Sequence, residues 1–96
     1  MDKITSSPWG MVQTQKDLAP GITSVTTASH GGIYVAPDLL AKMPIKSTAY
    51  SQGGWFEEDC DWALVAVAFP EAFDAKSLAV AKSIAARYFP NLEVTQ

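Results

Sequence analysis

The segment between Gly53-Gly54 and Pro70 limits this chain more than any other. It runs Trp55-Phe56, then Glu57-Glu58-Asp59-Cys60-Asp61, then Trp62-Ala63-Leu64-Val65-Ala66-Val67-Ala68-Phe69. Four carboxylates in five residues thus abut the longest apolar run in the sequence. A run this short is either a helix or a buried strand, and periodicity alone does not separate the two. Three features favour helix. Trp62, Val65, Ala66 and Phe69 fall at i, i+3, i+4 and i+7, one helical face. Ala63, Ala66 and Ala68 are helix formers. The acids stand where a helix N-terminus carries positive partial charge, a gain of roughly 0.3–1 kcal/mol each when exposed. The expectation is a short helix opened by the acidic run, with its apolar side in the core and Pro70 as its stop.

The rest of the chain supplies a sheet and two more helices. Met11–Gln15 alternates loosely, and Ile22–Thr27 is rich in β-branched residues. Pro20-Gly21 between them suits a type II turn, whose second central residue needs φ > 0. Ser29-His30-Gly31-Gly32 is the next break and Ile33-Tyr34-Val35 the next strand. A short helix is predicted over Pro37–Met43, because proline is tolerated in a first helical turn and Pro44 ends it. Residues 45–54 read as a loop. Asp74 is placed to cap a last helix, Ala75–Tyr88, with apolar stripe Leu78, Ala81, Ile84, Ala85 and Tyr88. The expected fold is α+β: a small three-stranded antiparallel sheet covered on one face by two or three helices. One domain is expected over residues 1–96, with 1–7 flexible.

Composition removes several function classes. Hydrophobic residues make up 48% of the chain and charged ones 18%, too apolar for a disordered segment. Cys60 is the single cysteine and His30 the single histidine, so an intrachain disulfide and a four-ligand zinc site of Cys and His are both excluded. No metal or cofactor is expected, and a reducing cytoplasm fits. The nine-residue run Trp62–Pro70 is too short for a membrane helix, which needs about 20 residues. The first residues lack a charged-then-apolar signal pattern. Net charge is −3 and the pI about 4.8, with Lys3, Lys16, Lys42, Lys46, Lys76, Lys82 and Arg87 scattered. Direct nucleic-acid binding, which usually needs clustered basic residues, is therefore not expected. The acids do cluster: six lie between Glu57 and Asp74 with no basic residue among them.

Each candidate site residue has a bland reading beside its functional one. Glu57, Glu58, Asp59 and Asp61 complement a helix dipole, yet exceed what one helix start requires; as a surface they suit a basic partner. Trp55 and Tyr50 offer aromatic anchors for such an interface, though Trp55 and Phe56 are also ordinary core residues. His30, beside Gly31-Gly32, is counted with the partner-binding residues; it is also a candidate base or metal ligand facing Glu57, Glu58 or Asp61, or simply a turn residue. Cys60 has carboxylates on both sides, which disfavour its thiolate. Ser29-His30-Gly31-Gly32 has neither the spacing nor the lysine of a phosphate-binding loop.

Ser7-Pro8-Trp9-Gly10, Ala28-Ser29-His30-Gly31-Gly32-Ile33 and the block from Gly53 to Pro70 together resemble an uncharacterised small-domain family met in phages, plasmids and other bacterial mobile elements. The resemblance implies a context and no reaction. By analogy with small acidic proteins of such elements, the leading expectation is a non-enzymatic, anti-CRISPR-like inhibitor. It would act in the bacterial cytoplasm, as monomer or homodimer, on a host protein or ribonucleoprotein complex with a basic surface. The alternatives are a self-associating accessory or regulatory domain, and a small hydrolase using His30 with a carboxylate.

Overall fold

A computed structural model describes residues 3–44, 48, 51 and 53–90. In chain order the elements are β1 (Ser6–Ser7), β2 (Gly10–Met11), β3 (Thr14–Ala19), β4 (Ile22–Thr26), β5 (Gly31–Val35), α1 (Pro37–Leu40), β6 (Trp55–Glu57), α2 (Trp62–Ala68), a 3-10 turn at Pro70–Ala72, and α3 (Ala75–Tyr88). The class is α+β, but the three-stranded sheet is corrected. The main sheet has four antiparallel strands in the order β3-β4-β5-β6, and β1 and β2 form a separate two-stranded ribbon.

The fourth strand explains the error. Trp55–Glu57 is too short for a period of two to be read from it, and its last residue is the first of the acids. Backbone pairing holds it extended, and the ladder runs on as the Glu58 N–H donates to the Gly31 carbonyl at 2.9 Å. Glu57 therefore belongs to a strand and Glu58–Asp61 to a turn, so the helix opens only at Trp62. A sheet edge satisfies backbone groups that a few tenths of a kcal/mol of dipole energy does not replace.

Pro20-Gly21 joins β3 to β4 as expected, with Gly21 at φ +85°; the register shifts once, between Asp17 and Ala19. The pairings Ile22–Val35, Ser24–Ile33 and Ile33–Phe56 put these residues on one face of the sheet. There Ile22, Ile33, Val35 and Phe56 pack with Leu64 and Val65 of α2, closed by Met43 and Phe89. The next layer is α3, where Ala81 meets Ala63 and Ala66. Helix α2 is buried at every position from Ala63 to Val67, which is why its apolar run is continuous rather than striped. Trp62 and Phe69, expected in the core, are half-buried at its ends.

Helix α3 matches its expected bounds, and Asp74 caps it: its Oδ1 accepts a hydrogen bond from the Ser77 N–H at 2.7 Å. Tyr88 departs from the expected stripe at 54% exposure. The helix stops there, and Phe89 leaves helical geometry and turns into the core. Helix α1 is shorter than predicted, continuing as turns to Met43. The loop expected at 45–54 lies largely outside the described residues.

The opposite face carries Thr23, Val25, Tyr34 and Trp55, with the β1–β2 ribbon above it. Trp9 meets Trp55 edge-on with ring centroids 5.7 Å apart, and Trp55 lies 4.7 Å from Tyr34. Gly32 makes this possible, since a side chain there would collide with both the Trp9 indole and the Phe56 carbonyl. From the segment expected to be flexible, the Ile4 N–H donates to Gln15 Oε1 at 2.7 Å and Thr5 accepts from the Val12 N–H.

Candidate functional site

Strand geometry divides the acidic run, because successive side chains leave β6 on opposite faces. Glu57 pairs in register with Gly32 and shares the ribbon side with Trp55. Its Oε2 lies 3.6 Å from Nδ1 of His30, both groups being substantially exposed. His30 is fixed by Thr27, whose hydroxyl donates to the His30 carbonyl and accepts from the His30 N–H. Glu58 turns to the helix side, and its carboxylate lies over Gly31, where a β-carbon would sit 2.9 Å from Oε1. Asp59 is exposed and Asp61 half-buried. Asp61 holds the N-cap position of α2 without a capping hydrogen bond, in helical rather than extended geometry. Its pKa is raised by burial first, then by the charges of Glu57 and Asp59. Among the described residues no Lys or Arg forms an ion pair with any of these four acids.

The other candidates separate. Trp55 is half-buried against Trp9 and Tyr34, and Tyr50 lies outside the described residues. Phe56 is fully buried in the core and so unavailable to a partner. Cys60 is half-buried against the same core. Of the sequence candidates the fold brings His30 beside Glu57, and Asp61 within electrostatic reach of Glu57 and Asp59, while Glu58 faces the helix side. No group of three or more His, Cys, Asp and Glu residues among those described is arranged to hold a metal ion. No described helix is long and apolar enough to cross a membrane.

Beside the acidic turn is a feature that sequence reasoning missed. Helix α2 packs on β5 and β6 and over Ile22 of β4, leaving open the part of the β3–β4 half that carries Lys16, Ser24 and Thr26. A cleft of about 620 Å³ results. Its sheet wall includes Lys16, Ser24, Thr26 and Glu58, and its helical wall Trp62, Phe73, Asp74 and Ser77. Trp62 and Phe73 lie with ring centroids 6.1 Å apart. Of the acidic turn only Glu58 reaches this cleft; His30 and Glu57 are not among its lining residues. The one signal in the sequence was the polar set Lys16, Ser24 and Thr26 at inward-facing positions, legible only once strand register is known.

The site is thus an exposed acidic turn with a partly aromatic cleft at its flank. A search of curated proteins and of solved structures finds no match to the chain. A family model does match, over residues 2–94, and the chain belongs to that family, described as a domain of unknown function, DUF7007.

Proposed function

We propose that this chain is a non-enzymatic binding domain that docks, through its acidic turn, on a basic surface of a partner protein. One observation carries the reading: Glu57 at the end of β6 and Glu58, Asp59 and Asp61 in the turn that follows stand in one short segment with no Lys or Arg paired to them among the described residues. Like charges held this close oppose one another; burial is the main cause of the raised pKa of Asp61, and the charges of Glu57 and Asp59 add to it. A partner's Lys and Arg would relieve that repulsion and speed association. Since Asp61 caps nothing, helix capping leaves the cluster unexplained.

In its specific form the reading is an anti-CRISPR-like inhibitor carried on a mobile element. The resemblance of the Ser29–Ile33 and Gly53–Pro70 blocks to proteins of such elements supports that form. The test is capture of purified CRISPR effector subunits, with inhibition of target cleavage, by wild-type protein and by the triple variant Glu57→Lys, Asp59→Lys, Asp61→Lys. Wild type is expected to bind in a salt-sensitive manner and the folded triple variant to lose both activities. A folded triple variant that inhibits as well as wild type sinks the acidic-turn reading.

A further inference from the structure

We infer that the cleft beside the acidic turn takes an arginine-bearing peptide segment of the partner, an inference that rests on the docking reading above. Its volume, about 620 Å³, falls within the ~300–1,000 Å³ of small-ligand sites. Its chemistry selects the occupant. Glu58 on the sheet wall and Asp74 on the helical wall are both exposed carboxylates, and Lys16 forms an ion pair with neither among the described residues. Asp17, a third acid on the lining, accepts a hydrogen bond from the Thr23 hydroxyl. Three acids against Lys16 on the lining, with Lys76 beside Asp74, leave the cleft a net negative charge.

Trp62 and Phe73 add aromatic surface to the same wall as Asp74. A guanidinium is the cation that uses both features, because its flat face stacks on aromatic rings while its edge donates in a fork to carboxylates. An ammonium, a strongly hydrated point charge, is drawn to a ring face too but neither stacks flat on it nor donates in a fork. The cleft lies next to the turn through Glu58, so a basic segment docked on the turn has a continuous path into it.

The experiment is a titration of full-length, isotope-labelled protein with acetyl-Gly-Arg-Gly-amide, followed by amide and indole chemical shifts. The citrulline, lysine and glutamate counterparts are titrated in parallel. The arginine peptide is expected to bind saturably and to shift the Trp62 indole, Phe73 and Ser77 signals, with the lysine peptide weaker and the other two inert. Glu58→Gln and Asp74→Asn are each expected to weaken it about two- to fivefold, the span of an exposed ion pair. Asparagine keeps the cap, so the second variant tests charge rather than folding. Lys16→Ala is expected to bind at least as tightly as wild type.

Equal shifts from the citrulline peptide, a preference for the glutamate peptide, or weaker arginine binding in Lys16→Ala would each overturn the inference. So would silence at the cleft while the acidic turn still captures its partner, which leaves the docking reading standing. Arginine binding at the cleft beside a triple turn variant that still inhibits supports the cleft and removes the docking reading.

Discussion

On the helix side of one sheet, the β5–β6 half and the β3–β4 half are built in the same register yet hold different chemistry. The first presents Ile33, Val35 and Phe56 and is roofed by Leu64 and Val65. The second buries Ile22 of β4 under the same helix but beyond it presents Lys16, Ser24 and Thr26 to a cleft. A sheet face buries apolar surface only where something covers it, and α2 is a seven-residue helix, too short to roof four strands. The polar half is therefore what a sheet looks like where its cover ends. Folding energy belongs to the first half, and recognition has room in the second.

The largest test of that contrast is Phe56→Ala. It removes a fully buried ring at the centre of the roofed half and should cost about 3–5 kcal/mol in urea unfolding. A cost below about 1 kcal/mol, the usual scale of a surface change, would mean that the core lies elsewhere.

The two helix starts sharpen the comparison, because they respond to pH with opposite sign. Asp61 precedes the helix that covers the roofed half, and its folded pKa is raised from 3.8, chiefly by burial. Ionisation is thus disfavoured in the folded state. The penalty sets in as pH rises past the ordinary value and is complete above the raised one. Asp61→Asn should raise the melting temperature at neutral pH, and its advantage should vanish in acid. Asp74 borders the open cleft, and its folded pKa is lowered from 3.8, first by the hydrogen bond from the Ser77 backbone. Its stabilisation is present above the ordinary value and is lost as pH falls through the lowered one. Asp74→Ala should lower the melting temperature at neutral pH, by an amount that shrinks in strong acid. Melting curves across the acid range check both signs; the same sign at both sites would refute the contrast.

The smallest effect is expected at Ser24→Ala, which lies on the open half. It should change stability by no more than about 0.5 kcal/mol, readable in the same urea titration. A loss near that of Phe56→Ala would show the open half to be core as well.

How far the fold could be read from the chain follows the strength of local signals. Asp74 followed by fourteen helix-compatible residues, and Pro20-Gly21 ahead of the β-branched Ile22–Thr27, each carry their own instruction, and α3 and the turn form as expected; the strand before the turn, expected at Met11–Gln15, runs Thr14–Ala19. Trp55–Glu57 carries none: three residues become a strand only because Tyr34, Ile33 and Gly32 stand beside them. The same contact moves Glu57 out of the helix and splits the acids between two faces. Tyr88 and Phe89 exchange places because a helix's last residue loses the face that its periodicity assigns. The closeness of Glu58, Asp59 and Asp61 was legible, since neighbours in sequence share a turn. The cleft was not, because Lys16 and Asp74 are joined only by the fold.

The burial of α2 on all sides has a dynamic consequence for the turn in front of it. Segments without exposed backbone open only with the molecule as a whole, so the amides of Val65 to Phe69 should be among the slowest to exchange with solvent. The acidic turn is anchored directly to that segment. A partner that meets its carboxylates there should have little loop entropy to remove.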